Sequence, residues 1–285
     1  MSFNLRDRKD RLGTNTLLRI ADYIFGMINN VEIYRSRDFK YRESIFSEPF
    51  LKYTKENVEN KVDTVNSYPG VRGACACPVI LLRQDLVSYF RGGIREKFWE
   101  IIYGRCKKKF KLPWKDNKNI ICIHVRLDDV ENLEDYDGRP ASNYIRRLIE
   151  EDCFRDYSRD EMTKFGLDTQ RPINPKKLSN LIKDLMGKYP DKKIHIVSFF
   201  RDGKVPLFLR KIEKKLGVEL HSNMDPEHDL WLLINSEVLV LSKSTFSIIA
   251  GFYHLGNTVY YPVWGTITSL GLGTKYDKSG WISYV

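Results

Sequence analysis

Ile120-Ile121-Cys122-Ile123-His124-Val125-Arg126-Leu127-Asp128-Asp129 is the stretch whose reading decides the fold. Its first four residues are all apolar, so a strand over 120–127 buries both of its faces. Such strands belong to parallel sheets covered by helices on both sides. Residues two apart on a strand share a face, which puts His124 and Arg126 side by side near its carboxyl end. Ligands of open α/β sheets bind at that end of the strands. Arginine can hold phosphate oxygens with two parallel N–H donors, and a histidine beside it can donate to a phosphate or a ribose. Each residue also has a plainer reading. Arg126 can pair with Asp128 or Asp129, and His124 can be a satisfied core residue. The two together, at the end of one buried strand, favour an anionic ligand.

Outward from this strand the chain alternates in the same way. Towards the C-terminus, apolar periodicity predicts helices over 175–189, 206–216, 227–235 and 245–255 and strands over 193–199, 238–241 and 258–262. Towards the N-terminus, Leu17, Leu18, Ala21, Phe25 and Ile28 give a helical period over 14–28, and 31–34 reads as a short strand. A long helical stretch over 84–109 is interrupted by Gly92-Gly93. Between the halves, Leu112-Pro113-Trp114-Lys115-Asp116-Asn117-Lys118-Asn119 has no period and carries a proline, which marks a boundary. The expected architecture is α/β, with two lobes over 1–115 and 116–285 and a cleft between them.

The second anion-prone segment is Ser242-Lys243-Ser244-Thr245-Phe246-Ser247, between the 238–241 strand and the helix after it. Serine and threonine cap helices well. The first N–H groups of a helix lack intrahelical partners, and the helix dipole makes that end positive. The Ser244, Thr245, Phe246 and Ser247 turn is therefore suited to a phosphate, with Lys243 adding charge; simple capping is the alternative. Asp229, early in the 227–235 helix, can cap that helix or accept hydrogen bonds from a base or ribose.

Composition narrows the choices. Hydrophobic residues make up 42 % of the 285, enough to build a core. No apolar run reaches the roughly 18 residues of a membrane span, and the charged start has no signal-peptide core. A soluble cytoplasmic protein is expected. The five cysteines are odd in number, and Cys75-Ala76-Cys77 lacks the spacing of a zinc site, so reduced thiols and no metal are expected. The net charge of +10 suggests an anionic partner. Its densest run, Lys107-Lys108-Lys109-Phe110-Lys111, also fits a solvated helix end. No nucleic-acid-binding signature accompanies it, so nucleic acid is a rival partner and not the expected one.

Taken together, these motifs resemble the fucosyltransferase-type glycosyltransferases. That family carries His-x-Arg-Arg-x-Asp after a buried strand, matched here by His124-Val125-Arg126-Leu127-Asp128-Asp129. Its Ser-x-Ser-Ser-Phe-Ser is matched by Ser242–Ser247. An upstream acidic residue is matched by Asp229, and a Leu-Gly-Asn-Gln type turn, loosely, by Leu12-Gly13-Thr14-Asn15. The resemblance implies a GT-B arrangement of two Rossmann-like lobes and inverting transfer from GDP-fucose to a glycan without a metal. It implies that Arg126 contacts the β-phosphate, assisted by His124 and the N–H groups of residues 245–247. The donor site would include Asp229, Gly13 and Asn15. The base would be Asp128, Asp129 or Glu134, the last close to where some relatives carry a carboxylate; 128–137 also reads as a plain acidic loop. The family's second arginine is Leu127 here. An apolar residue cannot replace it at a phosphate, so donors such as UDP-xylose or GDP-rhamnose stay open beside GDP-fucose.

Overall fold

The computed structural model describes residues 2–4, 12–30, 32–35, 44–46, 48–53, 55–56, 86–127, 173–200, 203–222, 224–264, 267, 270–273 and 277–284. These fall into two compact units. One holds the residues up to Lys109 and those of 265–280. The other holds the rest of 110–264 and the last strand.

In the first unit, β1 (Ser2–Asn4), β2 (Glu32–Arg35) and β3 (Lys55–Glu56) form a parallel sheet in that order. Helix α1 (Leu12–Asn29) buries Leu17, Ile20, Ala21 and Ile24, the spacing that a 3.6-residue period requires. Helix α2 (Glu48–Leu51) brings Phe50 against Tyr23 of α1 and Phe98, with ring centroids 5.7 and 4.3 Å away. The long predicted helix is present as α3 (Leu86–Tyr89) and α4 (Arg95–Lys109), joined by a π-helical turn over Phe90–Ile94. Gly93 supplies the break, because its φ of 139° suits only a residue without a Cβ. Lys107, Lys108 and Lys109 form the last turn of α4 and are exposed. Cations there complement the helix dipole, so this part of the basic run is a favourable helix end.

The second unit is a six-stranded, wholly parallel sheet. Its strands are β4 (Ile120–His124), β5 (Lys193–Ser198), β6 (Glu219–Ser222), β7 (Val238–Val240), β8 (Thr258–Pro262) and β9 (Ile282–Tyr284). They lie in the order β6-β5-β4-β7-β8-β9. Helices α5 (Pro175–Lys188), α6 (Leu207–Leu216), α7 (Pro226–Ile234) and α8 (Thr245–Tyr253) provide crossovers. The chain lays down β4, β5 and β6 to one side, then returns past β4 to lay β7, β8 and β9 on the other. This is the strand order of the Rossmann fold.

Alternation along 121–127 sorts that stretch between two helical layers. Ile121, Ile123, Val125 and Leu127 join Leu178, Ile182 and Leu185 of α5 and Leu209 and Ile212 of α6 in one apolar cluster. On the other face, Cys122 Sγ lies 3.6 Å from the Leu232 carbonyl of α7. The strand is shorter than predicted, ending at His124, although Val125 still donates to the Val197 carbonyl at 3.0 Å. Sequence periodicity does not reveal β1, β3, β6 or β9. Cys106 and Cys122 are buried free thiols, and among the described residues no helix is long and apolar enough to cross a membrane.

Candidate functional site

The order of the sheet fixes where a site can form. β4 and β7 are neighbours whose connections leave in opposite directions, which opens a crevice beyond their carboxyl ends. The residues singled out at those ends are joined by hydrogen bonds. His124, the last residue of β4, has its Nδ1 2.7 Å from Ser242 Oγ. Arg126 donates from Nη1 to the Lys243 carbonyl at 3.2 Å. Both therefore hold the turn that runs from β7 into α8. The Phe246 ring leans over the His124 imidazole at a centroid distance of 5.3 Å.

The turn is built by its own hydroxyls. Ser244 caps α8, its Oγ accepting from the Phe246 N–H at 3.2 Å. That cap engages one of the three N–H groups expected to serve a ligand. Ser247 is fully buried. Its Oγ accepts from the Ser242 N–H at 3.2 Å and lies 3.1 and 3.0 Å from the Ser242 and Ser244 carbonyls. Its hydroxyl thus shapes the turn from inside, and only its backbone is left as a candidate ligand contact.

The electrostatics suit an anion. His124 is buried and beside a guanidinium. Loss of hydration first, and repulsion by Arg126 second, lower its pKa to about 3. At neutral pH it is an uncharged imidazole whose Nδ1 is engaged by Ser242, which leaves Nε2 to a ligand; Nε2 donates in the tautomer in which Nδ1 accepts from the Ser242 hydroxyl. Arg126 is half-buried and carries the site's positive charge.

Asp229 lies in the first turn of α7, which packs on the same face of the sheet as His124. It does not cap that helix. Asp225 does, accepting from the Glu227 N–H at 2.8 Å. Asp229 is only 5 % exposed, and its Oδ1 has no hydrogen-bond partner among the described residues. Burial, with a smaller contribution from the Asp225 charge, raises its pKa to about 7. A buried acceptor left without a partner is a group that a ligand can complete.

Leu127 is buried in the α5–α6 cluster. The position where the family carries a second arginine therefore points away from His124 and Arg126 in this chain. Gly13 lies buried in the first turn of α1, and Asn15 belongs to the same helix. Asp128, Asp129 and Glu134 lie outside the described residues.

Neither a family model nor a curated protein matches the chain. Among solved structures it is similar to POFUT1 in complex with GDP, at 12 % identity and a TM-score of 0.42, over 87 % of this chain and 92 % of that one. The apo form of POFUT1 gives 19 % identity and a TM-score of 0.34, over 55 % of this chain and 46 % of that one. Its complex with GDP-fucose gives 19 % and 0.32, over 54 % and 44 %. In these last two matches the chain spans under half the length of POFUT1. Likeness at this level does not assign an activity.

Proposed function

We propose that the chain is an inverting glycosyltransferase of the fucosyltransferase type. It draws its sugar from a nucleotide diphosphate donor, with GDP-fucose the first candidate, and passes it to a glycan. The observation that carries this reading is the meeting of His124 and Arg126 with the Ser242–Ser247 turn at the point where the strand order reverses. Lobes over 1–115 and 116–285, in a GT-B arrangement, would bind acceptor and donor, with Gly13 and Asn15 of the first lobe contributing to the donor site.

In this mechanism the acceptor hydroxyl attacks the anomeric carbon while the bond to the β-phosphate oxygen breaks. The hydroxyl's proton goes to Asp128, Asp129 or Glu134, and the charge collects on the departing diphosphate. Arg126, the amino end of α8 and neutral His124 through Nε2 face that charge. Donors aimed at charge as it develops are commonly the largest catalytic contribution. No step calls for a metal, so turnover is expected to persist in EDTA. Asp229 would receive the base or ribose. With Leu127 in the core, Arg126 is the only arginine of the motif on the site's face, which keeps other nucleotide sugars open as donors.

A nucleotide-sugar panel, read by donor hydrolysis and by melting temperature, tests the reading. GDP-fucose or another nucleotide sugar should be hydrolysed, and its nucleotide should raise the melting temperature. Arg126→Ala should lower turnover by about 100- to 1,000-fold while the protein melts normally. No response to any member of the panel, or full turnover in Arg126→Ala, would refute it.

A further inference from the structure

A second group of chemically able side chains lies at one edge of the same sheet. β5 and β6 are paired in register, His195 opposite Glu219 and Val197 opposite His221. Residues 219 and 221 share a face, so one edge of the sheet presents two imidazoles and a carboxylate together. His195 Nδ1 is 2.9 Å from His221 Nε2 and 3.6 Å from a Glu219 carboxylate oxygen. The three donor atoms all lie within 4.8 Å of one another.

We propose that His195, Glu219 and His221 bind one divalent transition-metal ion of the zinc class, clamping edge strand β6 to β5. Two histidines and a carboxylate are a common protein ligand set for zinc. With metal–ligand bonds of about 2.0–2.1 Å, tetrahedral ligands stand about 3.3 Å apart, and the observed 2.9 and 3.6 Å bracket that spacing. The polar contacts of His195 are on this side of its ring. Its Nε2 is buried with no partner among the described residues, and the Trp114 ring packs against the imidazole at a centroid distance of 4.8 Å. Trp114 is itself held by donating to the Asn235 carbonyl at 3.0 Å. Glu219 is 55 % exposed on the outer side, which leaves the fourth position to water. A plain hydrogen bond would account for the contact between the histidines, and strand register sets the Glu219 carboxylate beside His195; a shared ion gives all three groups one role.

The site lies on the β5–β6 side of the sheet, away from the crevice between β4 and β7. EDTA-stripped full-length protein titrated with Zn²⁺ by calorimetry should take up one ion and gain melting temperature. Co²⁺ in its place should give the intense visible bands of a four-coordinate ion. Glu219→Gln, an exposed change that leaves the fold intact, and His221→Ala should each weaken Zn²⁺ by at least the roughly 10- to 100-fold that loss of a mere outer-shell partner costs. His228→Gln should bind normally. No saturable uptake by the parent protein, or equal affinity in Glu219→Gln and His221→Ala, would overturn the proposal. Nucleotide-sugar hydrolysis assayed in parallel reports separately on the proposed transferase.

Discussion

Replacing Asp229 with asparagine separates the two roles a buried carboxylate can have. Asp229 is nearly inaccessible and has an oxygen without a partner among the described residues, and burial raises its folded pKa to about 7 from an ordinary value of 3.8. A carboxyl whose pKa is raised on folding holds its proton in the native state after the unfolded chain has lost it. Stability therefore falls as pH rises from about 4, and levels off above about 7. A rise of roughly three pH units at ~1.4 kcal/mol each amounts to about 4 kcal/mol. About 2.5 kcal/mol of that falls between pH 5 and pH 8. An asparagine side chain cannot ionise, so the Asp229→Asn variant escapes this loss. Urea unfolding of both proteins at pH 5, 6, 7 and 8 should show the variant's advantage widening by about that amount, while groups common to both cancel. A gap that stays constant with pH would refute the assignment of a buried, proton-holding Asp229. The same samples answer the functional question. If the carboxylate receives a nucleoside, the variant should be more stable at pH 8 yet bind the nucleotide more weakly, since active sites often trade stability for function. A stabilised variant with unchanged nucleotide binding would leave Asp229 a structural residue and remove it from the site.

Restoring the family arginine by Leu127→Arg should fail, because the side chain would enter the α5–α6 core. A loss of more than about 4 kcal/mol, or no folded protein at all, is expected from burying an unpaired charge. A variant that melts normally and binds nucleotide more tightly would contradict the observed orientation. Ser247→Ala should cost about 1–3 kcal/mol, because it leaves the buried Ser242 N–H without its acceptor. It should also weaken nucleotide binding by loosening the turn, and unchanged melting and binding would show that the hydroxyl does not shape it. At Gly256 a Cβ would lie 2.2 Å from the Glu237 carbonyl oxygen. Gly256→Ala should therefore lower stability by about 1–3 kcal/mol in a melting experiment, and no change would mean that the β7 and β8 approaches are looser than described.

What can be read in the sequence follows burial. The strands at 120–124, 193–198, 238–240 and 258–262 are covered on both sides and announce themselves as apolar runs. β6 has one apolar residue in Glu219-Leu220-His221-Ser222, because an edge strand needs only one ladder and little apolar cover. For the same reason the His195–Glu219–His221 group is invisible in the sequence. Its members come from two strands, and only their register brings them together. The cap of α7 is ambiguous for a local reason. Asp225 and Asp229 are four residues apart, and either suits the start of a helix, but Pro226 fits the first helical position and makes Asp225 the cap.

Position 127 shows where a motif and a period disagree, and which should be preferred. As a motif, Leu127 is a lost arginine. As the neighbour of Arg126 on an extended backbone it must take the opposite face, and there an apolar side chain completes the core instead of depleting the site. The site itself is legible only in pieces. Each anion-prone segment is continuous in the chain, but their meeting depends on which strands adjoin. With β4 beside β7, His124 reaches Ser242 and Arg126 reaches the Lys243 carbonyl. With one strand inserted between them, the same ends would stand about 10 Å apart, too far for either bond. The order of the sheet, more than the identity of the residues, therefore makes one candidate site out of two.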